Sequence, residues 1–216
     1  MAMWIKIVIA AVIGYLLGNI SSGILIAKLY GVRDIRKQGS GNAGTTNVLR
    51  TLGWVPRVLT LVGDCLKGLI AALIGKWLGG DIGMLVCGTM AIIGHDFPAV
   101  FGFKGGKGIA TSLGLIIAVN PWIALALLVL VLLIVGFSRY MRVGSRCAAL
   151  LYPILTAILQ RGEEHSLAFI LFAIFASALT IFCHRANIAR LFRREENRLD
   201  FEKISRIKSK FIKFQK

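Results

Sequence analysis

The chain has 216 residues, 56% of them hydrophobic, and a mean hydropathy of +0.75. Those values exclude an ordinary soluble domain and leave room for one compact membrane domain. The formal net charge is +16, from 26 Lys and Arg against 10 Asp and Glu. An apolar body with basic connections is the pattern of an integral membrane protein oriented by its cytoplasmic charge, so lipid rather than nucleic acid is the expected partner.

Apolar segments lie at 4–29, 58–80, 82–102, 109–119, 122–137, 147–159 and 167–183. The N-terminus carries only Lys6 as a basic residue, and its apolar run is too long for a signal-peptide core. It is read as a retained first span. A helix needs about 20 residues to cross the hydrocarbon core, so the fourth and sixth segments are short. Seven crossings with the N-terminus outside put the loops at 28–57, 102–108 and 138–146, and the tail from His184, in the cytoplasm. Those stretches hold 6, 2, 3 and 11 Lys and Arg, which is 22 of the 26. Leaving the short segments out of the bilayer would move Arg139, Arg142 and Arg146 outside, against the positive-inside rule. The expected fold is therefore all-α, with seven transmembrane helices and a cytoplasmic C-terminus. The cysteines Cys65, Cys87, Cys147 and Cys183 lie in or beside apolar runs without C-x-x-C spacing and are read as small buried hydrophobes.

The polar clusters fall in or beside the loops assigned to the cytoplasm. In "DIRKQGSGNAGTTNVLR" (34–50), closely spaced glycines let backbone N–H groups converge on an anion. Ser40, Asn42, Thr45, Thr46 and Asn47 add side-chain donors, and Arg50 is suited to bidentate phosphate binding. A flexible turn with a topology anchor is the alternative. In "GDCLKG" (63–68), Asp64 and Lys67 share a helix face and are expected to pair, facing protein or water rather than lipid.

The third cluster is "GHDFPAVFGFKGGKGIATS" (94–112). Its "FKGGKG" is not a Walker A loop, because Gly108 follows Lys107. It does place Lys104 and Lys107, flanked by glycines, just before a helix start at Ile109, where N–H groups and the dipole favour an anion. Further donors come from "SRYMRVGSR" (138–146), with Ser145, and "CHRANIARL" (183–191), with His184 and Asn187. Acidic metal ligands are scarce on this side, and neither H-E-x-x-H nor G-x-S-x-G occurs. A cavity for phosphorylated ligands is indicated, with no metal and no organic cofactor required.

These blocks, in this order, resemble the bacterial membrane glycerol-3-phosphate acyltransferases that use acyl phosphate as donor, the PlsY family. The matching text is "DIRKQGSGNAGTTNVLR", "DCLKG", "GHDFPAVFGFKGGKGIATS", "RY…S" and "HRANI", and the resemblance covers about residues 10–198. It implies a membrane domain over 1–198, followed by a basic cytoplasmic tail at 199–216. It further implies a seven-helix enzyme of the bacterial cytoplasmic (inner) membrane with its active site on the cytoplasmic side. The implied reaction moves a fatty acyl group from acyl phosphate to the primary (sn-1) hydroxyl of glycerol 3-phosphate. Lysophosphatidic acid and inorganic phosphate are released, as the first acylation of phospholipid synthesis.

Residue by residue, the resemblance puts functional positions on Ser40, Arg50, Lys107, Ser145, His184 and Asn187. It gives phosphate-cradling roles to Gly39, Gly41, Gly105 and Gly106, beside Asn42, Gly44, Thr46, Asn47 and Lys104. The fourth block departs from the family in carrying Arg142 and Arg146, where small or apolar residues are usual. In the tail, Phe201, Ile204, Ile207, Phe211 and Ile212 recur at roughly helical spacing. An amphipathic helix on anionic lipid and a solvated charge run both fit that pattern.

The expected chemistry agrees with the residues. No histidine is followed by the H-x-x-x-x-D aspartate often found in acyltransferases that use acyl-CoA or acyl carrier protein. An acyl phosphate is a mixed anhydride whose own phosphate oxygen can accept the hydroxyl proton. The protein then holds two anions close and stabilises the developing oxyanion. Two other classes remain in view: a carrier for organic phosphates, suggested by Asp64 and Lys67 within a span, and a lipid-binding scaffold.

Overall fold

A computed structural model describes residues 2–184; Asn187 and the basic tail lie outside them. The described residues form eight α-helices and two single 3-10 turns, with no strand among them. Helix α1 (Met3–Asn19) and α2 (Ser22–Leu29) are one apolar stretch interrupted at Ile20, which is extended with φ −68° and ψ 105°. Met3–Leu29 is still one stretch long and apolar enough to cross a membrane, as expected of a first span. The break within it exposes backbone carbonyls, and a buried lysine takes them up, as described below. After the turn Ile35–Lys37 come α3 (Thr45–Leu52) and the long α4 (Trp54–Asp96).

Helix α4 is two limbs joined at Gly79 and Gly80, where Gly80 has φ 62°. The limbs fold back antiparallel. Gly75 lies against Gly83 and Cys87, and Lys67 reaches His95. The turn falls at the end of the apolar segment expected at 58–80, just before the one at 82–102, because only glycine adopts the left-handed region without strain. Small residues then let backbones touch. A side chain at Gly14 or Gly18 of α1 would overlap the carbonyls of Cys87 and Ala91 on the second limb. This is how membrane helices gain dispersion contact where lipid removes most hydrophobic driving force.

Helix α5 (Ile109–Val119) has 11 residues, about 16 Å, which is too short to cross a membrane alone. It packs on the first limb of α4, with Gly114 against the Cys65 carbonyl and Gly68 against that of Thr111. Asn120 both ends α5 and caps α6 (Pro121–Ser138), its Oδ1 accepting from the N–H groups of Trp122 (3.0 Å) and Ile123 (3.2 Å). Proline at the first position of α6 costs no hydrogen bond there. Arg139, at φ 61°, closes α6.

Helix α7 (Met141–Leu159) starts six residues before the apolar run at 147–159, so a loop over the whole of 138–146 is corrected. Hydropathy marks only apolar positions, whereas Met141, Arg142 and Arg146 are residue types that favour a helix. Ser145 and Arg146 therefore sit within a helix. Helix α8 (Ser166–Cys183) packs on α7, where Ser177 Oγ donates to the Ala149 carbonyl at 2.6 Å.

The main core joins α4, α5, α6, α7 and α8 through Met84, Leu115, Ile116, Ile123, Leu127, Tyr152, Phe169 and Phe172. Large apolar side chains such as Trp77, Leu132, Phe137 and Leu171 point outward. Among the described residues, four helical stretches are long and apolar enough to cross a membrane: Met3–Leu29, Trp54–Phe101, Pro121–Ser138 and Ser166–Cys183. The shorter apolar helices are Ile109–Val119 and Val143–Leu159. All four cysteines are free.

Candidate active site

The two glycine-rich blocks, about sixty residues apart in the chain, are held together directly. Asp34 caps the turn Ile35–Lys37 by accepting from the Arg36 N–H at 3.0 Å. Its carboxylate also takes Arg36 Nε and Nη2, at 3.0 and 2.9 Å on different oxygens. The remaining end of the guanidinium crosses to the other block, where Arg36 Nη1 donates to the carbonyls of Phe101 (2.8 Å) and Lys104 (3.2 Å). The same group lies over the Phe101 ring at 5.6 Å, a cation–π contact. The Arg36 hydrogen bond holds the Asp34 carboxyl below its ordinary range. A lowered carboxyl keeps its contribution above the unfolded pKa of about 3.9 and loses it only as pH falls through the lower folded value. This latch is thus intact at neutral pH.

A second latch is Asn42, whose Nδ2 donates to the carbonyls of Gly105 (3.2 Å) and Gly106 (3.4 Å). Its Oδ1 accepts from Gly44 N at 2.8 Å. Asn47, buried beneath, organises the first block. Its Nδ2 reaches the carbonyls of Ile35, Gln38 and Asn42 at 2.9–3.0 Å, and its Oδ1 accepts from Ser40 N at 2.7 Å. Gly39 has φ 59°, and a side chain there would run into Asn47 Oδ1. Several donors expected to face phosphate are therefore used to build the walls. Gly41 N donates to the Gln38 carbonyl, Gly105 N to that of Asp96 and Gly106 N to that of His95.

The second block closes over the end of α4. A side chain at Gly105 would overlap the His95 carbonyl, and one at Gly106 would overlap His95 Nε2. Gly106→Ala is accordingly expected to destabilise the protein by about 1–3 kcal/mol, the usual penalty for overpacking. Thermal unfolding in detergent measures it, and an unchanged midpoint would contradict the contact. Gly108, with φ 65°, then starts α5 directly above the buried Asp96, whose Oδ1 and Oδ2 lie 3.1 and 3.2 Å from where a Cβ would stand. A carboxylate at a helix N-terminus interacts favourably with the dipole. Asp96 Oδ2 also accepts from Cys183 Sγ at 3.3 Å, which ties the end of α8, and so His184, to this block.

The expected Asp64–Lys67 pair is present at 3.1 Å and buried. Lys67 Nζ also donates to the carbonyls of Gly18 (3.2 Å) and Ile20 (2.6 Å), the acceptors freed where α1 breaks. Its third neighbour is His95 Nδ1 at 2.7 Å.

The expected residues are thus placed as follows. Ser40, Thr46 and Arg50 lie half-buried on the first block and its helix α3, and Lys107 lies half-buried on the second. Lys104 is exposed. His184 is buried at the end of α8, its Nδ1 2.8 Å from the Thr180 carbonyl. Ser145 is buried in α7, which reaches the site through α8. Beside it, Arg146 Nε and Nη2 are buried without a hydrogen-bond partner. Arg36 and Asp96 were not singled out by motif. Their signals, an Asp-x-Arg pair and an acid next to His95, are too short to stand out from topology charges.

Comparison with known proteins bears on all of this. A family model described as Glycerol-3-phosphate acyltransferase matches residues 8–194. A glycerol-3-phosphate acyltransferase of Clostridioides difficile (strain 630) is 44% identical over 202 residues, covering 91% of this chain and 97% of that protein. One from Thioalkalivibrio sulfidiphilus (strain HL-EbGR7) is 42% identical over 192 residues, covering 88% and 93%. The crystal structure of PlsY, an integral membrane glycerol 3-phosphate acyltransferase, in its glycerol 3-phosphate form superposes with a TM-score of 0.83. That structure is 38% identical, over 92% of this chain and 98% of that one. Its lysophosphatidic acid form gives 0.81. With its helical membrane body, and with matches across nearly its whole length, this chain belongs to the glycerol-3-phosphate acyltransferase family and is an integral membrane acyltransferase.

Proposed function

We propose that this enzyme takes its acyl group from an acyl phosphate and transfers it to the sn-1 hydroxyl of glycerol 3-phosphate. The observation that carries the proposal is the double latch, which sets Ser40 and Arg50 on one wall and Lys107 on the other. Two such walls suit two phosphates. Arg50, Ser40 and Thr46 hold one, while Lys107 and the N-terminus of α5 hold the other. Asn42, Asn47 and the glycines set the shape of the walls. Lys104 draws anions in from solvent. Ser145 and His184 orient substrate from the α7 and α8 side, and Asn187 is assigned to the same task.

The substrate hydroxyl attacks the acyl carbonyl carbon, and its proton passes to a phosphate oxygen of the acyl donor. The new C–O ester bond forms as the bond from carbon to the phosphate oxygen breaks. Lysophosphatidic acid and inorganic phosphate leave. The protein contributes positioning and charge, and the scheme needs no metal.

Seven crossings in a bacterial inner membrane, with the N-terminus outside, complete the proposal. The hairpin of α4 supplies two crossings, and the charged loops then gather on the cytoplasmic side. The test is donor choice. Purified enzyme given glycerol 3-phosphate should turn over palmitoyl phosphate, with release of inorganic phosphate, at least about 100 times faster than palmitoyl-CoA, as expected when the leaving group supplies the base. Equal rates, or a preference for the thioester, would remove the acyl phosphate scheme.

A further inference from the structure

His95 belongs to none of the roles above, yet one edge of its ring is held by a buried ion pair. It is buried, with Nδ1 2.7 Å from Lys67 Nζ and 3.6 Å from Asp64 Oδ1. Nζ donates to two carbonyls and lies beside the Asp64 carboxylate, whose charge keeps it an ammonium with a third N–H for His95. An ammonium can only donate, so Nδ1 accepts and the ring proton stands on Nε2. That Nε2–H lies against Gly106 of the glycine loop. Among the described residues nothing accepts from it. A lysine–carboxylate pair that fixes a tautomer, with the far N–H left over, is the arrangement of a ring held ready for a ligand.

We propose that His95 is a further substrate-binding residue, its Nε2–H donating to a phosphate oxygen of glycerol 3-phosphate held at the Gly105–Gly106 loop. Lys67 and Asp64 are then positioning residues, which act by setting the tautomer. Any phosphate monoester offers the same acceptor, so inorganic phosphate competes for this donor. The inference rests on the function proposed above.

Two substitutions separate a binding role from a packing role. Asn at 95 places an acceptor where Nδ1 stands and keeps the Lys67 contact, but it has no donor at the Nε2 position. Gln places its amide N–H near Nε2. His95→Asn is expected to raise KM for glycerol 3-phosphate about 10- to 100-fold, the worth of one hydrogen bond to a charged group, with kcat within about threefold. His95→Gln should recover at least about half of that loss on a logarithmic scale. An unchanged KM in the Asn variant, or equal impairment in both, overturns the proposal.

Should either variant fail to fold, the wild-type protein still decides. With ¹⁵N-labelled histidine, the three histidines are separable by substituting His165 and His184. The His95 Nε2 signal should show a protonated nitrogen that shifts on titration with glycerol 3-phosphate, and also with inorganic phosphate. A signal that stays fixed while the wild-type enzyme turns over removes the role of His95 alone. Absent wild-type turnover would instead remove the proposed function.

Discussion

Lys107→Ala should lower turnover about 100- to 1,000-fold while leaving helicity and detergent-phase elution unchanged. That range is the usual loss when one donor aimed at developing charge is removed from a pre-organised site. Lys107 qualifies because it is half-buried, flanked by glycines and one residue from the start of α5. In the proposed scheme its ammonium and the helix dipole would act on the same anion. Lys104, three residues earlier, is a control. It is exposed, and its backbone carbonyl, not its side chain, serves the Arg36 latch. Lys104→Ala should cost less than about fivefold, as exposed charges do. Phosphate release from palmitoyl phosphate measures both. Wild-type turnover in folded Lys107→Ala would strip this residue of its role.

The second large effect is on stability. Lys67→Met should destabilise the protein by about 3–5 kcal/mol, because it leaves Asp64 buried without its counter-charge. It also strands the carbonyls of Gly18 and Ile20 at the break between α1 and α2. Adding Asp64→Asn should restore the part due to the unpaired charge, but not the part due to the carbonyls. The double variant is thus expected between the single variant and wild type. Unfolding midpoints in one detergent give the comparison. A Lys67→Met protein within about 1 kcal/mol of wild type would show that the pair is not a structural keystone. The same bonding also weighs against a carrier. A lysine tied to α1, to both limbs of α4 and to His95 is anchored at each end rather than placed to move with a passing ion.

Much of this protein was legible without coordinates. Apolar runs and basic loops are local properties of the chain, so the helical membrane body and the position of the α4 hairpin at Gly79–Gly80 follow from them. The order of the polar blocks likewise pointed to a phosphate-handling acyltransferase, and the family was identified from them. Boundaries fared less well. The early start of α7 rests on helix-favouring polar residues and the break after Asn19 is met by a distant lysine, and neither leaves a mark in hydropathy.

What the sequence alone determined is therefore the inventory: which helices, which charges and which donors. What only the tertiary structure decided is how those donors are used. Asn42, Asn47, Gly105 and Gly106 were expected to cradle phosphate, and their hydrogen bonds also build the blocks: Asn42 reaches across to the second, Asn47 ties up the first, and the two glycines fold back on the end of α4. Arg36 looked like a topology charge, yet it clasps the two walls. His95 carries no motif of its own, yet Lys67, 28 residues away, lies 2.7 Å from its Nδ1. The physical reason is common to all of them. Hydrogen bonds depend on distance and direction in space, and contacts made across 28 to 68 residues of chain leave no periodic signature in it.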